Sequence, residues 1–351
     1  MSRLVLKFGG TSVADIDRIL SVAHKVKAVA AAGNEVAVVV SAMAGTTDQL
    51  VGYTQQINPD CDEGEYDVVV SAGEQITVGL LAAVLRSIGC RSRSWLGWQI
   101  PIRTDSAHSK ARITEINIEK LSDCMESGEI AVVPGFQGIS PEGRITTLGR
   151  GGSDTSAVAL AAALSAERCD IYTDVEGIFT CDPRIVPRAK KLDRITYEEM
   201  LEMASLGAKV LQTRSVALAM KHRIVVHVRS SFNDTFGTMV VDEEDIVEDE
   251  MVSGIAYSPG EAKVTLVRVA DRPGVAACIF GPLAESGVNV DMIVQNVSED
   301  GKSTDVTFTV DRDDLDKAIN VIEKARGEFE CERVETDSSV VKIIRKKNER
   351  I

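Results

Sequence analysis

Over the first 230 residues, short β-branched runs alternate with alanine- and leucine-rich stretches of helical period, and that alternation restricts the fold to a mainly parallel sheet covered by helices on both faces. The opening unit sets the pattern. LVLKF (4–8) and EVAVVV (35–40) are strand runs, and IDRILSVAHKVKAVAAA (16–32) is a helix that stops at Gly33-Asn34. A helical crossover between two strands makes them parallel. Further strands are expected at EIAVVPGF (129–136), CDIYTD (169–174) and IVVHVRS (224–230), and further helices at 67–88, 153–166 and 196–207. The more polar HSKARITEINIEKLSDCMESG (108–128) reads as a peripheral insertion near the substrate.

Polar residues gather where these strands end. Lys7 closes the first strand and is followed by Gly9 and Gly10, which can bring backbone N–H groups close to an anion without a Cβ in the way. TTLGRGGSDTS (146–156) is a glycine loop that opens a helix at Ser153 or Asp154, a second anion-facing N-terminus. RCDIYTDVEGIFTCDPR (168–184) ends a strand at Thr173-Asp174 and leads into a loop closed by Pro183 and Arg184. Ligands of open α/β sheets sit outside the carboxyl ends of the strands, so the three segments are expected to converge. Neither a Walker GxxxxGK[ST] nor a Rossmann GxGxxG spacing is present.

Length and composition set outer bounds. A chain of 351 residues holds two or three domains, and 44% hydrophobic with 26% charged residues is an ordinary globular mixture. The net charge of −14 argues against nucleic acid or an anionic membrane as partner, so a polyphosphate would have to be held by local cations and a divalent metal. Seven scattered cysteines without CxxC spacing point to a reducing compartment and to small buried side chains rather than a metal cluster. The N-terminus has no signal pattern and no run reaches about 18 apolar residues, so a soluble, cytoplasmic protein is expected. The histidines at 24, 108, 222 and 227 lack metal-ligand spacing and are assigned surface or core roles, and Trp95 and Trp98 read as packing anchors.

Residues 232–251 are densely acidic and read as a linker. Beyond them the pattern is strand, helix, strand, strand, helix, strand up to residue 337, with a DRPGV turn (271–275) after the first strand. Residues 338–351 begin another strand at VVKII and end in RKKNERI.

Five motifs, KFGGTS (7–12), SAGEQ (71–75), GRGGSDTSA (149–157), TDVEGIFTCDPR (173–184) and GAKVLQTRS (207–215), occur in the order found in the aspartate kinases, a branch of the amino-acid kinase family that the chain resembles over nearly its whole length. The βαββαβ segment resembles an ACT domain, a small amino-acid-sensing module. The resemblance implies an amino-acid-kinase three-layer sandwich at 1–231, the linker at 232–251, an ACT domain at 252–337 and the start of a second ACT module at 338–351. It implies transfer of the ATP γ-phosphate to the side-chain carboxylate of L-aspartate, with Mg²⁺, at the head of lysine, threonine and methionine synthesis. It also implies lysine or threonine as effectors and homodimers formed through the ACT domains. With one complete ACT module, weakened or lost combined inhibition by lysine and threonine is expected. Rival readings are another amino-acid kinase, such as a glutamate kinase, or a non-catalytic amino-acid-binding regulatory subunit.

Phosphorylation of a carboxylate needs no general base, because an aspartate side chain with a pKa near about 4 is already ionised. The site must overcome repulsion between anions, through lysines, backbone donors and Mg²⁺. By resemblance, Asp154 orients Lys7 and Lys209 at the phosphate; alone, Asp154 also reads as a helix N-cap and Lys209 as a snorkelling helix-end lysine. By the same resemblance the nucleotide falls to Lys7, Phe8, Gly9, Gly10, Ser41, Thr173, Asp174, Phe179, Arg184 and Lys209, with Phe179 equally suited to loop packing. Arg150 offers a bidentate fork for the substrate α-carboxylate, and by resemblance Glu74 is the anion for its ammonium, with Thr47, Gly151, Gly152 and Ser153 alongside. Without the motif, Glu74 reads as an exposed helix glutamate. Asp271, Pro273, Gly274, Val275, Ala276, Asn289 and Gln295 are the candidate effector residues, although the DRPGV turn also fits simple helix initiation. No protein side chain is assigned to a metal.

Overall fold

The structure is a computed structural model that describes residues 2–58, 61–208, 210–245, 252–258, 260–270, 272–297, 303–327, 329–337 and 340–345. The chain divides into two compact units, one comprising Met1–Gly254 with Ile344–Ile351 and the other Ile255–Ile343.

The first unit is built on an eight-stranded sheet in the order Arg194–Thr196, Thr238–Val241, Val225–Ser230, Arg168–Thr173, Arg3–Phe8, Glu35–Val40, Ile130–Pro134, Ser92–Ser94. Neighbours are parallel except Val225–Ser230 with Thr238–Val241. The central strands are covered on both faces, which is why their sequences read as unbroken apolar runs. Leu4, Leu6 and Phe8 pack with Val36, Val38 and Val40 under the helices Ile16–Ala31 and Ala72–Ser87, through Ile19, Val22, Val78, Leu81 and Leu85. Phe8 stacks on Tyr172 with ring centroids 4.5 Å apart. Strand alternation turns Val5 and Lys7 to the opposite face, where the helix Gly152–Ala163 lies. That helix is buried from Gly152 to Ala161, between the sheet and the helix Thr213–His222, and its alanines permit the close approach.

Several local expectations need correction. The stretch read as a linker contains the strand Thr238–Val241, whose Thr238, Val240 and Val241 are buried inside the main sheet. Residues 246–251 of that stretch lie outside the described residues. The helix expected from 67 begins at Glu63, because Asp62 accepts from the Gly64 and Glu65 amides as an N-cap, and runs to Ser87 with an interruption only at Ser71. By length and composition Glu63–Ser87 would suffice to cross a membrane, which the apolar-run count missed, yet half of its apolar window is buried within the protein. The insertion at 108–128 contributes the strand Ile113–Ile116 to a second sheet with Ile102–Thr104, Gln137–Ile139 and Ile145–Thr147, followed by the helix Glu119–Glu126. Trp95 is buried, but Trp98 is 55% exposed and anchors no core.

The second unit has the expected βαββαβ order. Its four-stranded sheet, Val290–Val297, Ser303–Asp311, Glu261–Ala270, Arg333–Asp337, is antiparallel throughout. The helices Val275–Glu285 and Leu315–Ala325 bury Ile279, Leu283, Ala318 and Ile322 against Val264, Leu266 and Phe308. The VVKII segment forms the strand Val340–Arg345, paired with Val252–Ser258.

Candidate active site

Lys7 leaves the carboxyl end of the first strand and reaches Asp154, with Nζ 2.5 Å from Oδ1 and both side chains about nine-tenths buried. The helix N-cap is Gly151 and makes no side-chain cap bond, so Asp154 lies in the first turn rather than capping it. There its charge is favoured by the helix dipole. A Cβ on Gly9 would sit 3.5 Å from Lys7 Nζ, so the glycine leaves open the side of the ammonium that an anion would approach. The Gly9 amide itself is engaged, donating to the Tyr172 carbonyl at 3.3 Å, so it is not the free anion donor anticipated from the sequence.

Glu74 is 3% exposed, not the surface glutamate its helix alone implies. Gly73 makes this possible: a Cβ there would meet Ala42 Cβ at 2.7 Å, so only glycine lets the helix approach the chain leaving the Glu35–Val40 strand. Glu74 Oε1 then accepts from the Ala42 amide at 3.0 Å, while Oε2 is buried without a partner. Burial pushes the carboxyl pKa up to about 7, against the hydrogen bond from Ala42. A buried carboxylate oxygen with no donor suits a ligand cation.

The other acceptor-side residues follow the same strand ends. Ser153 is buried against Gly135, where a Cβ would come within 2.7 Å of Ser153 Cβ. Arg150 is exposed and sits between Gly149 (φ 76°) and Gly151 (φ 71°). Thr47 occupies the first turn of the helix Thr46–Ile57. Gly152 allows Leu148 and Phe136 to close in, with a virtual Cβ at 2.8 Å from Leu148 Cβ.

On the nucleotide side the correspondence is looser. Ser41 follows its strand and donates its amide to the Phe8 carbonyl. The Phe8 ring is wholly buried, so its side chain belongs to the core and cannot touch a nucleotide. Thr173 Oγ1 donates to Asp174 Oδ1 at 3.1 Å, at the exposed end of its strand. Arg184 is occupied by Asp182 at 2.7 Å, which raises the guanidinium pKa, rather than standing free. Phe179 is half-buried and bridges to Lys191 through its backbone. Lys209 lies outside the described residues.

In the second unit, Pro273, Gly274, Ala276, Asn289 and Gln295 are exposed, and Gly274 (φ 89°) is the N-cap of the Val275–Glu285 helix. Val275 is buried in the core of that unit, so its side chain is not available to an effector. Asp271 lies outside the described residues.

Sequence reasoning missed the buried Asp67 and, although a core role was open to His227, did not find its partner. Asp67, completely buried, accepts from the Thr147 amide and hydroxyl, the Ser109 amide and, at 2.9 Å, pairs with His108 Nδ1. The signal was present: Asp67, Ser71 and Glu74 are polar residues at i, i+4 and i+7, on one face of the helical stretch and flanked by the apolar run Val68–Val70. His227 is buried with Nδ1 3.8 Å from Asp170, and its pKa is lowered to about 4 by burial despite that carboxylate. No residue spacing announces this second contact, which depends on two neighbouring parallel strands.

Residues 2–230 match the amino acid kinase family and residues 263–327 match the ACT domain. The chain belongs to the amino acid kinase family, and it carries an ACT domain. The relatives it resembles are aspartate kinases: one from Pseudomonas putida is 49% identical over 344 residues, covering 98% of this chain and 84% of that protein. Among solved structures, aspartate kinase from Synechocystis matches 97% of this chain at 42% identity with a TM-score of 0.64; this chain spans 59% of that one. E. coli aspartokinase III in complex with aspartate and ADP matches 97% of this chain and 87% of its own at 29% identity and a TM-score of 0.74. The same E. coli enzyme in complex with lysine and aspartate covers 95% of this chain and 84% of its own at 29% identity and a TM-score of 0.75.

Proposed function

We propose that this chain transfers the γ-phosphate of ATP to the side-chain carboxylate of L-aspartate, giving 4-phospho-L-aspartate at the head of lysine, threonine and methionine synthesis. One observation carries the reading. At the carboxyl ends of adjacent parallel strands, a buried lysine is held by a carboxylate and a buried glutamate oxygen lacks any donor, in a chain whose relatives are aspartate kinases. The acceptor carboxylate arrives ionised, so the chain's task is to neutralise and align rather than to remove a proton.

In this reading Glu74 Oε2 takes the α-ammonium, and Arg150 takes the α-carboxylate with help from the Ser153 and Thr47 hydroxyls. Lys7 faces the transferring phosphoryl group, where charge spreads as the bond to the leaving oxygen loosens, and Asp154 pairs with its ammonium and aims it. Lys209 is assigned beside it by family resemblance. Gly9, Gly10, Ser41, Thr173, Asp174 and Phe179 border the nucleotide, and Arg184 joins them by sharing Asp182. Mg²⁺ bound with the nucleotide supplies further neutralisation of the phosphates.

The catalytic domain is assigned to 1–231 with Thr238–Val241 as an added strand, and the regulatory ACT domain to 252–337. Lysine and threonine are the proposed effectors. A homodimer through the ACT unit is supported by its edge strand Val290–Val297, where Met292, Ile293 and Val294 are exposed apolar residues. A cytoplasmic location agrees with seven cysteines that are all free thiols. The test of the reaction is a hydroxamate assay with MgATP and aspartate, glutamate or no amino acid. Aspartyl hydroxamate should form only with aspartate and ATP; equal activity with glutamate, or none with aspartate, refutes the assignment.

A further inference from the structure

We propose that Asp67 is a positioning residue for the amino-acid substrate, fastening the Arg150 loop and the segment 105–111 to the same helical stretch that carries Glu74. The proposal rests on the reading of Arg150 and Glu74 as partners of the α-carboxylate and α-ammonium.

Arg150 cannot hold itself in place. It lies between two glycines in the left-handed region, and its guanidinium is exposed. Its position is inherited from Thr147 and Leu148 on one side and from the helix start at Gly152 on the other. Thr147 is tied to Asp67 twice, by its amide to Oδ2 at 3.0 Å and by its hydroxyl to Oδ1 at 2.5 Å. The facing segment is tied to the same carboxylate by the Ser109 amide, at 3.1 Å and 3.0 Å from the two oxygens, and by His108 Nδ1.

The two pieces also hold each other. The Ala111 amide donates to the Thr147 carbonyl at 2.9 Å, and a Cβ on Gly149 would meet the Ser109 carbonyl at 3.1 Å. Arg214 clamps both from a further helix, donating to the Leu148 and Ala111 carbonyls at 2.7 Å and 3.0 Å. Ser109 adopts φ 61°, a conformation costly for a non-glycine residue, so the surrounding bonds must hold it there.

Asparagine is not an equivalent of Asp67. Three of its partners, the Thr147 amide, the Thr147 hydroxyl and the Ser109 amide, are donors, and they reach both carboxylate oxygens. An amide would set an N–H₂ group against an N–H and loosen one of the two attached segments. A misplacement of about 1 Å in a group that orients substrate can cost orders of magnitude in rate or affinity.

The experiment compares Asp67→Asn, Thr147→Val and Arg150→Ala in the full chain, measuring KM for aspartate, KM for MgATP, kcat and thermal stability. Asp67→Asn is expected to raise KM for aspartate about tenfold or more with little change in KM for MgATP. Thr147→Val, which removes only the hydroxyl bond, should move the same parameter in the same direction by less. A folded Asp67→Asn protein with unchanged KM for aspartate, or with both KM values raised equally, overturns the proposal. If Asp67→Asn does not fold, Thr147→Val decides, and an unchanged KM for aspartate overturns it. If Arg150→Ala itself leaves KM for aspartate unchanged, the head-group reading fails and the proposal falls with it; if only Arg150→Ala raises that KM, the reading stands and Asp67 has no positioning role.

Discussion

Lys7 Nζ and Asp154 Oδ1 lie 2.5 Å apart with both side chains about nine-tenths buried, so each charge depends on the other for its counter-ion. Removing one partner strands a buried charge, which costs about 3 kcal/mol or more, whereas replacing both by apolar residues is often neutral or stabilising. Lys7→Ala and Asp154→Asn should each lower the melting temperature and reduce kcat about a hundredfold or more. The double variant Lys7→Met/Asp154→Leu should recover the stability and remain inactive. Calorimetry with steady-state kinetics checks this, and a Lys7→Ala enzyme with near-normal kcat would contradict the role of Lys7.

Glu74 gives the site a pH dependence with opposite signs for binding and stability. Its carboxyl titrates at about 7 in the folded chain, so near neutrality about half of the free enzyme carries it protonated and unable to pair with an ammonium. KM for aspartate should therefore rise as pH falls through about 7. Between the ordinary glutamate value and about 7 the folded state binds more protons than the unfolded one, so stability should decrease as pH increases across that window. Glu74→Gln should abolish both trends while raising KM. Matched KM and melting profiles decide it; a flat KM between about pH 6 and pH 8 would be incompatible with the assigned role.

Gly151 combines a left-handed backbone with close contact. A Cβ there would lie 1.8 Å from Gln212 Cγ, in addition to the strain of φ 71°. Gly33, also left-handed at φ 86°, faces open space. Gly33→Ala should cost about 1 kcal/mol from backbone strain alone. Gly151→Ala should cost more in a denaturant melt and also raise KM for aspartate through the neighbouring Arg150. Equal losses at the two positions would show that Gln212 yields without consequence.

Ile293 is 52% exposed on the edge strand Val290–Val297 of the second unit. A charge there should oppose strand-edge association. Ile293→Lys is expected to shift the proposed homodimer to monomer in sedimentation velocity, with the circular dichroism spectrum unchanged. A dimer that persists would exclude this edge as the interface.

Much of this architecture was legible because its strands are short, β-branched and buried on both faces, as Leu4–Phe8 and Val36–Val40 show. The βαββαβ order of the second unit was equally plain. Thr238–Val241 escaped because four residues beside the acidic Asp242, Glu243 and Glu244 carry little pattern, and their place between Arg194–Thr196 and Val225–Ser230 is a long-range decision. The chemistry of Lys7, Asp154 and Glu74 was readable as residue types, but the burial of Glu74 required the approach that Gly73 permits to Ala42. His108 could not be found, since its partner Asp67 is 41 positions away and meets it only in the folded chain.

Asp67 and Glu74 share one helical run from Glu63 to Ser87, two turns apart and on one side, so about 10 Å of helix works as a ruler between them. What the site then requires of residues 68–73 is a fixed number, with Val70 and Ser71 also held by complete burial. Val68 is open to exchange because it is 42% exposed, and Gly73 is fixed by Ala42. A single inserted or deleted residue would swing Glu74 by about 100° around the helix, out of reach of its strand end. Spelling can change at the exposed Val68, but the length of the segment cannot.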